Sequence, residues 1–161
     1  MSTPAVRVLT ESGVPYEVHS YDHDPRERSF GIEAAREMGV DPAVVFKTIL
    51  FLLDARHPAA AIVPVTSQVD VKALARALDV KRVDTCPVAT AERLTGYVVG
   101  GISPFGQKTS ARTVLDDSAL EHPHIYVSAG RRGFEVSLAP ADLVAVTSAI
   151  IAPIASSTDR A

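Results

Sequence analysis

The run from Ala43 to Leu53 is the most apolar stretch of the chain and the feature that most limits how it can fold. A helix that crosses a bilayer needs about 20 apolar residues, and this run is shorter and carries Lys47 inside it. It is therefore expected in the core of a soluble fold. Lys47 to Leu53 reads as a buried strand, and Ala60 to Val65, a second run of the same kind, follows after turn residues. Two such runs predict paired buried strands. A chain of 161 residues with 47% hydrophobic content can close a core around them without a metal or a disulfide. Cys86 is the only cysteine, which excludes an intrachain disulfide and a thiolate cluster and fits a reducing cytosol. The opening MSTPAVRVLTESG lacks the basic start and apolar middle of a signal peptide, so the expected location is cytoplasmic.

The remaining elements follow from caps and breakers. Thr3 and Pro4 open a helix that Gly13 stops. Pro15 to Tyr21 alternates like a strand, Gly31 to Met38 reads as a helix closed by Gly39, and Asp41-Pro42 restarts a helical turn. Asp70 caps a helix over Val71 to Leu78, Val83 to Cys86 is a short strand, and Thr90 is expected to cap a helix ending at Gly96. Further strands are expected at Tyr97 to Val99, Thr113 to Asp116, Ile125 to Ser128 and Glu135 to Leu138, with a hairpin turn across Ala129 to Gly133. Pro140 opens the last helix. Without strict βαβ alternation the order predicts an α+β chain with a mixed sheet. One domain over 1–155 and a frayed tail over 156–161 complete the expectation.

The net charge of -3 argues against a general nucleic-acid binder, yet the charge is uneven. Residues 72–112 hold 7 Lys/Arg against 3 Asp/Glu, whereas residues 1–71 hold 6 against 10 and residues 113–161 hold 3 against 6. Such a strip can meet a few phosphates or can simply be a solvated surface. Lys47, among apolar neighbours, either snorkels from a sheet face or serves as a point charge in a site. The segment Gly100-Gly101-Ile102-Ser103-Pro104-Phe105-Gly106-Gln107-Lys108-Thr109 lets the backbone approach a ligand and expose amides. It is not a P-loop, because Gln107 separates Gly106 from Lys108 and Pro104 lacks an amide hydrogen. There is no Gly-x-Ser-x-Gly elbow, and His19, His23, His57, His122 and His124 show no metal-ligand spacing. Cys86 reads as a small apolar residue.

Phe46-Lys47-Thr48, Gly100-Gly101-Ile102-Ser103-Pro104, Tyr126-Val127-Ser128, Arg132-Gly133 and Leu138-Ala139-Pro140-Ala141-Asp142-Leu143 occur in that order, with His23-Asp24-Pro25 and Val63-Pro64-Val65 before and between them. With these motifs the chain, from Thr3 to about Val144, resembles the YbaK-type cysteinyl-tRNA(Pro) deacylases, relatives of the editing domain of bacterial prolyl-tRNA synthetase. The resemblance implies a mixed, mostly antiparallel sheet curled into a partial barrel with helices around it. It implies removal of cysteine from mischarged tRNA(Pro), in trans beside prolyl-tRNA synthetase and without a cofactor or metal. Carried over by residue, Lys47 and Gly101 are the catalytic positions. Tyr21, Phe30, Thr48, Gly100, Ile102, Ser103, Ser128 and Glu135 are the substrate-binding ones. Glu135 stands where the family more often has aspartate, and Ala129 where it often has glycine. The implied chemistry needs no protein nucleophile: the substrate's own thiol attacks its ester carbonyl to form a thiolactone. The Gly101 loop would hold the carbonyl or terminal ribose by backbone amides, and Lys47 would steer the adenosine end or its phosphate. Clearance of alanine or another small residue, and a non-catalytic module that binds a nucleotide or the synthetase, are the alternatives.

Overall fold

The structure, a computed structural model, describes residues 2–157. Helix α1 spans Pro4–Ser12, and its start is chemically specified: Thr3 Oγ1 accepts from Val6 N–H and donates to Ala129 O at 2.6 Å, joining the cap to the core. Strand β1 is Glu17–Ser20, α2 is Phe30–Met38, and a 3-10 turn covers Pro42–Val44. The apolar run becomes β2, Phe46–Leu53, paired antiparallel with β3, His57–Pro64, as expected. Strand β4, Ser67–Val69, leads to α3, Val71–Leu78, where Asp70 Oδ1 accepts from Ala73 N–H. Then come β5 (Asp84–Thr85), α4 (Val88–Thr95), β6 (Arg112–Asp116), a 3-10 turn (Asp117–Glu121), β7 (Ile125–Arg131), β8 (Phe134–Leu138), α5 (Pro140–Thr147), β9 (Ile150–Ala152) and β10 (Ala155–Ser157).

Five strands form one sheet in the order β5-β2-β3-β6-β9, and three form another, β1-β8-β7. The β3/β6 and β6/β9 pairs are parallel and the other ladders antiparallel, so the fold is α+β with mixed, mostly antiparallel sheets. Among the described residues the main chains of these two sheets are joined only at the isolated bridge Val45 to Tyr126, and they do not close. Between them lies the main core: Phe46, Leu50, Ile62 and Leu115 from the larger sheet meet Val127, Phe134, Val136 and Leu138 from the smaller, with Leu9 and Leu143 of the flanking helices. Phe51, Leu53, Ala61 and Val63 pack on the opposite face against Leu74 and Leu78 of α3. Helix α2 covers the outer face of the smaller sheet, where Ala34 and Ala35 meet Val45 and Tyr126. Covered on both faces, β3 is buried from Pro58 to Pro64, which explains its unbroken apolar sequence.

Three expectations fail for local reasons. Helix α4 begins at Val88, directly after Pro87, and Thr90 lies inside it; Ala91 N–H already donates to Pro87 O. Tyr97 to Val99 is a turn and not a strand, because Glu92 Oε2 takes Val99 N–H at 2.9 Å and Tyr97 donates its hydroxyl to Phe105 O at 2.6 Å. Ser156 and Ser157, expected in the tail, pair with Gln68 and Ser67 of β4, and the rest of that tail lies outside the described residues. The end of the chain is held by Asp116, a buried carboxylate that accepts from Ile154 N–H and Ala155 N–H, both at 2.9 Å, and from Ser118 N–H and Oγ–H. Asp116→Ala leaves buried amides without acceptors and is expected to cost about 3 kcal/mol in urea unfolding.

Candidate active site

The main-chain bonding of β2 creates the site. Antiparallel neighbours alternate between pairs that exchange both main-chain bonds and pairs that exchange none. Val65 N–H donates to Val45 O at 2.9 Å, while Pro58 and Pro64, which have no N–H, sit opposite Leu52 and Phe46. The main-chain groups of Lys47 and Ile49 therefore turn toward β3, and those of Phe46, Thr48 and Leu50 turn the other way. On that side β5 reaches only Phe51 and Leu52, and β7 joins only through the Val45–Tyr126 bridge. The N–H and C=O of Thr48 and the N–H of Leu50 therefore face a side of β2 that carries no ladder at these positions. A cavity of about 450 Å³ occupies the gap.

Of the residues singled out from sequence, Phe30, Lys47, Thr48, Gly100, Ile102, Ser128 and Glu135 line this cavity. Tyr21, Gly101 and Ser103 do not. Tyr21 packs under α2, where burial first, and then the charges of Glu135 and Glu33, push its phenol well above the ordinary range. Ser103 is fully buried and its hydroxyl accepts from Phe105 N–H at 3.2 Å. Gly101 was expected to present its amide to a ligand, but its N–H donates to Val98 O at 2.8 Å. A Cβ there would come within 2.5 Å of Arg131 Cα and 2.8 Å of Arg132 N, so its lack of a side chain is what lets the β7–β8 hairpin close on the turn. Gly100 makes room in turn for the Phe30 ring, over which the Arg132 guanidinium sits 4.7 Å from the centroid while its Nε donates to Val99 O.

The polar groups of the cavity are poorly matched by protein partners. Thr48 Oγ1 is buried without a hydrogen bond among the described residues. Glu135 lies opposite Ser128 on β7 and His19 on β1, and no side-chain hydrogen bond or ion pair joins it to another described residue. Burial pushes its carboxyl up to about 8. Lys47, half-buried, also lines the cavity, and desolvation lowers its ammonium below the usual lysine range. Ser128 Oγ accepts from Gly130 N–H at 3.2 Å. The described histidines near the small sheet are engaged elsewhere, His19 Nε2 with Ser137 Oγ at 2.8 Å and His23 Nδ1 with Glu33 Oε1 at 2.6 Å, so no serine or cysteine of the cavity has an imidazole base.

Sequence reasoning did not place Arg28, Cys86, Val88 or Ala91 at the site, although all four line it. They come from the loop before α2 and the start of α4, which only packing brings to the edge of β2. Cys86 is part-exposed there, and burial raises its thiol. Ile32, Ile49 and Val88 are exposed cavity residues and make its mouth apolar.

The cleft sets an ammonium and a buried carboxyl beside a side of β2 that carries no ladder at Thr48, and among the described residues none of its serines and not its cysteine is hydrogen-bonded to a histidine. The chain belongs to the aminoacyl-tRNA editing domain family, whose model matches residues 27–146. A protein of Enterococcus faecalis that carries the name Cys-tRNA(Pro)/Cys-tRNA(Cys) deacylase EbsC is 32% identical over 156 residues, covering 94% of this chain and 92% of that one. Among solved structures, one described as a trans-editing enzyme for prolyl-tRNA synthetase superposes with a TM-score of 0.83 at 22% identity, covering 97% of this chain and 99% of the other. A second, described as a hypothetical protein, gives 0.85 at 22% identity over 96% of this chain and all of its own. These two likenesses establish the shared fold. Among the described residues no helix is long and apolar enough to cross a membrane.

Two outcomes follow from the site's energetics. Glu135 has its carboxyl raised from 4.5 to about 8, so between those values unfolding releases a proton and stability falls as pH rises. Urea unfolding of the wild type is expected to show this loss, approaching about 1.4 kcal/mol per pH unit at its steepest, and Glu135→Gln is expected to flatten it. Gly101→Ala must displace the hairpin backbone and is expected to destabilise by about 2 kcal/mol, measured by the same method.

Proposed function

We propose that this chain is a trans-acting aminoacyl-tRNA deacylase that removes cysteine wrongly attached to tRNA(Pro), working in the cytoplasm beside prolyl-tRNA synthetase, with residues 1–155 acting as one editing domain. The observation that carries the reading is a cavity that holds an unpartnered hydroxyl, Thr48 Oγ1, and a buried carboxyl, Glu135, yet among the described residues no serine or cysteine paired with a histidine base. Such a site suits a substrate that brings its own nucleophile. The cysteinyl thiolate attacks its ester carbonyl, a carbon–sulfur bond forms, and the bond to the terminal ribose oxygen breaks. That oxygen leaves with a proton and a thiolactone remains. Holding sulfur and carbonyl in line supplies a proximity effect worth several kcal/mol.

The residues divide the work by position. The uncovered edge of β2 offers the Thr48 N–H and hydroxyl to the carbonyl oxygen as it gains charge, the part first expected of Gly101. Lys47, beside them, faces the ribose oxygen and the terminal phosphate as a point charge. The exposed side chains of Ile32, Ile49 and Val88 at the mouth offer an apolar seat for the terminal adenine. With a net charge of -3, the chain has little general attraction for tRNA, so tRNA identity is left to the synthetase.

The test is deacylation of tRNA(Pro) charged with cysteine, alanine or proline. Cysteine is expected to be cleared fastest, and alanine, which lacks the thiol, at least about 100-fold more slowly. Equal clearance of alanine would make water the nucleophile. Lys47→Ala is expected to lower kcat/KM for the cysteinyl ester by about 10²- to 10³-fold; an unchanged rate would remove Lys47 from the mechanism.

A further inference from the structure

We propose that Glu135 is the subsite for the α-ammonium group of the aminoacyl ester, so that the cavity takes esters with a free amine and rejects those whose amine is acylated. The inference rests on the deacylase reading and assigns one part of the same site. Glu135 is 5% exposed, lines the cavity and meets no donor from the protein. Leaving a buried carboxyl unpartnered is costly, and a cationic ligand would supply the missing donors. A second group points to the same occupant: Thr48, also a lining residue of this cavity, has a buried hydroxyl that is likewise without a partner among the described residues. An ammonium carries three N–H donors, and Glu135, Thr48 Oγ1 and the Thr48 C=O, which faces away from β3, are acceptors for them.

The charged groups around Glu135 leave it free for this part. His19, across from it on β1, is hydrogen-bonded to Ser137. Glu33 of α2 is held by His23 Nδ1 and by Asp24 N–H at 2.8 Å. Tyr21 is an un-ionised phenol. Arg28 Nη1 donates to Pro25 O at 3.3 Å, and neither Arg28 nor Lys47 forms an ion pair with Glu135. Titration sharpens the expectation. Burial holds the carboxyl near 8, close to the ordinary α-amino range of about 7.7 to 8.0. At pH 6 the amine arrives protonated and Glu135 must give up its own proton to pair with it. Binding therefore tightens as pH rises toward neutrality and weakens again once the amine loses its charge.

The probes are L-cysteinamide and N-acetyl-L-cysteinamide, titrated calorimetrically into the full chain at pH 6 in two buffers of different ionisation enthalpy. The free amine is expected to bind about 10- to 100-fold more tightly than the acetylated one, with release of about one proton. Glu135→Gln, of the same shape, is expected to abolish both the preference and the proton release, while Glu135→Asp keeps the release. Equal affinities, no binding of either amide, or a preference that survives in Glu135→Gln would overturn the subsite. Deacylation of Cys-tRNA(Pro) against its N-acetyl form separates the two readings. Equal turnover of both removes the subsite and leaves the deacylase. Amine-selective binding with turnover of no ester removes the deacylase and leaves the subsite.

Discussion

Strand β2 lies in the larger sheet beside the smaller one, and the cavity exists because only its β3 edge carries a full ladder. Along β3 it makes a full ladder whose register is set by Pro58 and Pro64, each of which can sit only where no N–H is required. On its other side β5 pairs with the last part of the strand and β7 meets it at one bridge. Had the barrel closed there, the main-chain groups of Thr48 and Leu50 would be bonded to a neighbour and the cavity would be core. The half-open edge of β2 and the cavity are one structural fact.

The groups that define the site are those the fold leaves unsatisfied. Elsewhere buried polar atoms are matched closely: Asp116 takes four donors, Glu33 takes a histidine and an amide, and Thr95 bonds within its own helix turn. Against that background the bare hydroxyl of Thr48 and the bare carboxyl of Glu135 stand out. Both groups line one cavity, which is why the proposed ammonium subsite is placed there.

The double glycine has a different meaning in three dimensions from the one it has as a string. Read linearly, Gly100-Gly101 promises exposed amides. In the fold Gly101 N–H is engaged by Val98 and both Cβ positions are filled by neighbours, Phe30 and Arg132 at one, the Arg131–Arg132 backbone at the other. The glycines let the hairpin, the Phe30 ring and the turn after α4 come together, and so shape the cavity wall without donating to its contents.

Much was legible from residues alone where the physics is local. Thr3 and Asp70 cap their helices as their types require, the paired apolar runs become β2 and β3, and an α+β chain follows from their order. The three-residue strands β4, β9 and β10 were not legible, because so short an element has no alternation to read and exists only through its partner. The same distinction runs through the site. The sequence by itself determined which side chains carry charge, hydroxyl or thiol and that Lys47 and Thr48 share a strand. Only the tertiary structure decided that Thr48 and Glu135 are buried without partners, that Cys86 and Val88 reach the cavity, and that the Gly101 amide is engaged. Burial and hydrogen-bond satisfaction depend on what packs over a residue from distant parts of the chain, and no local pattern records that.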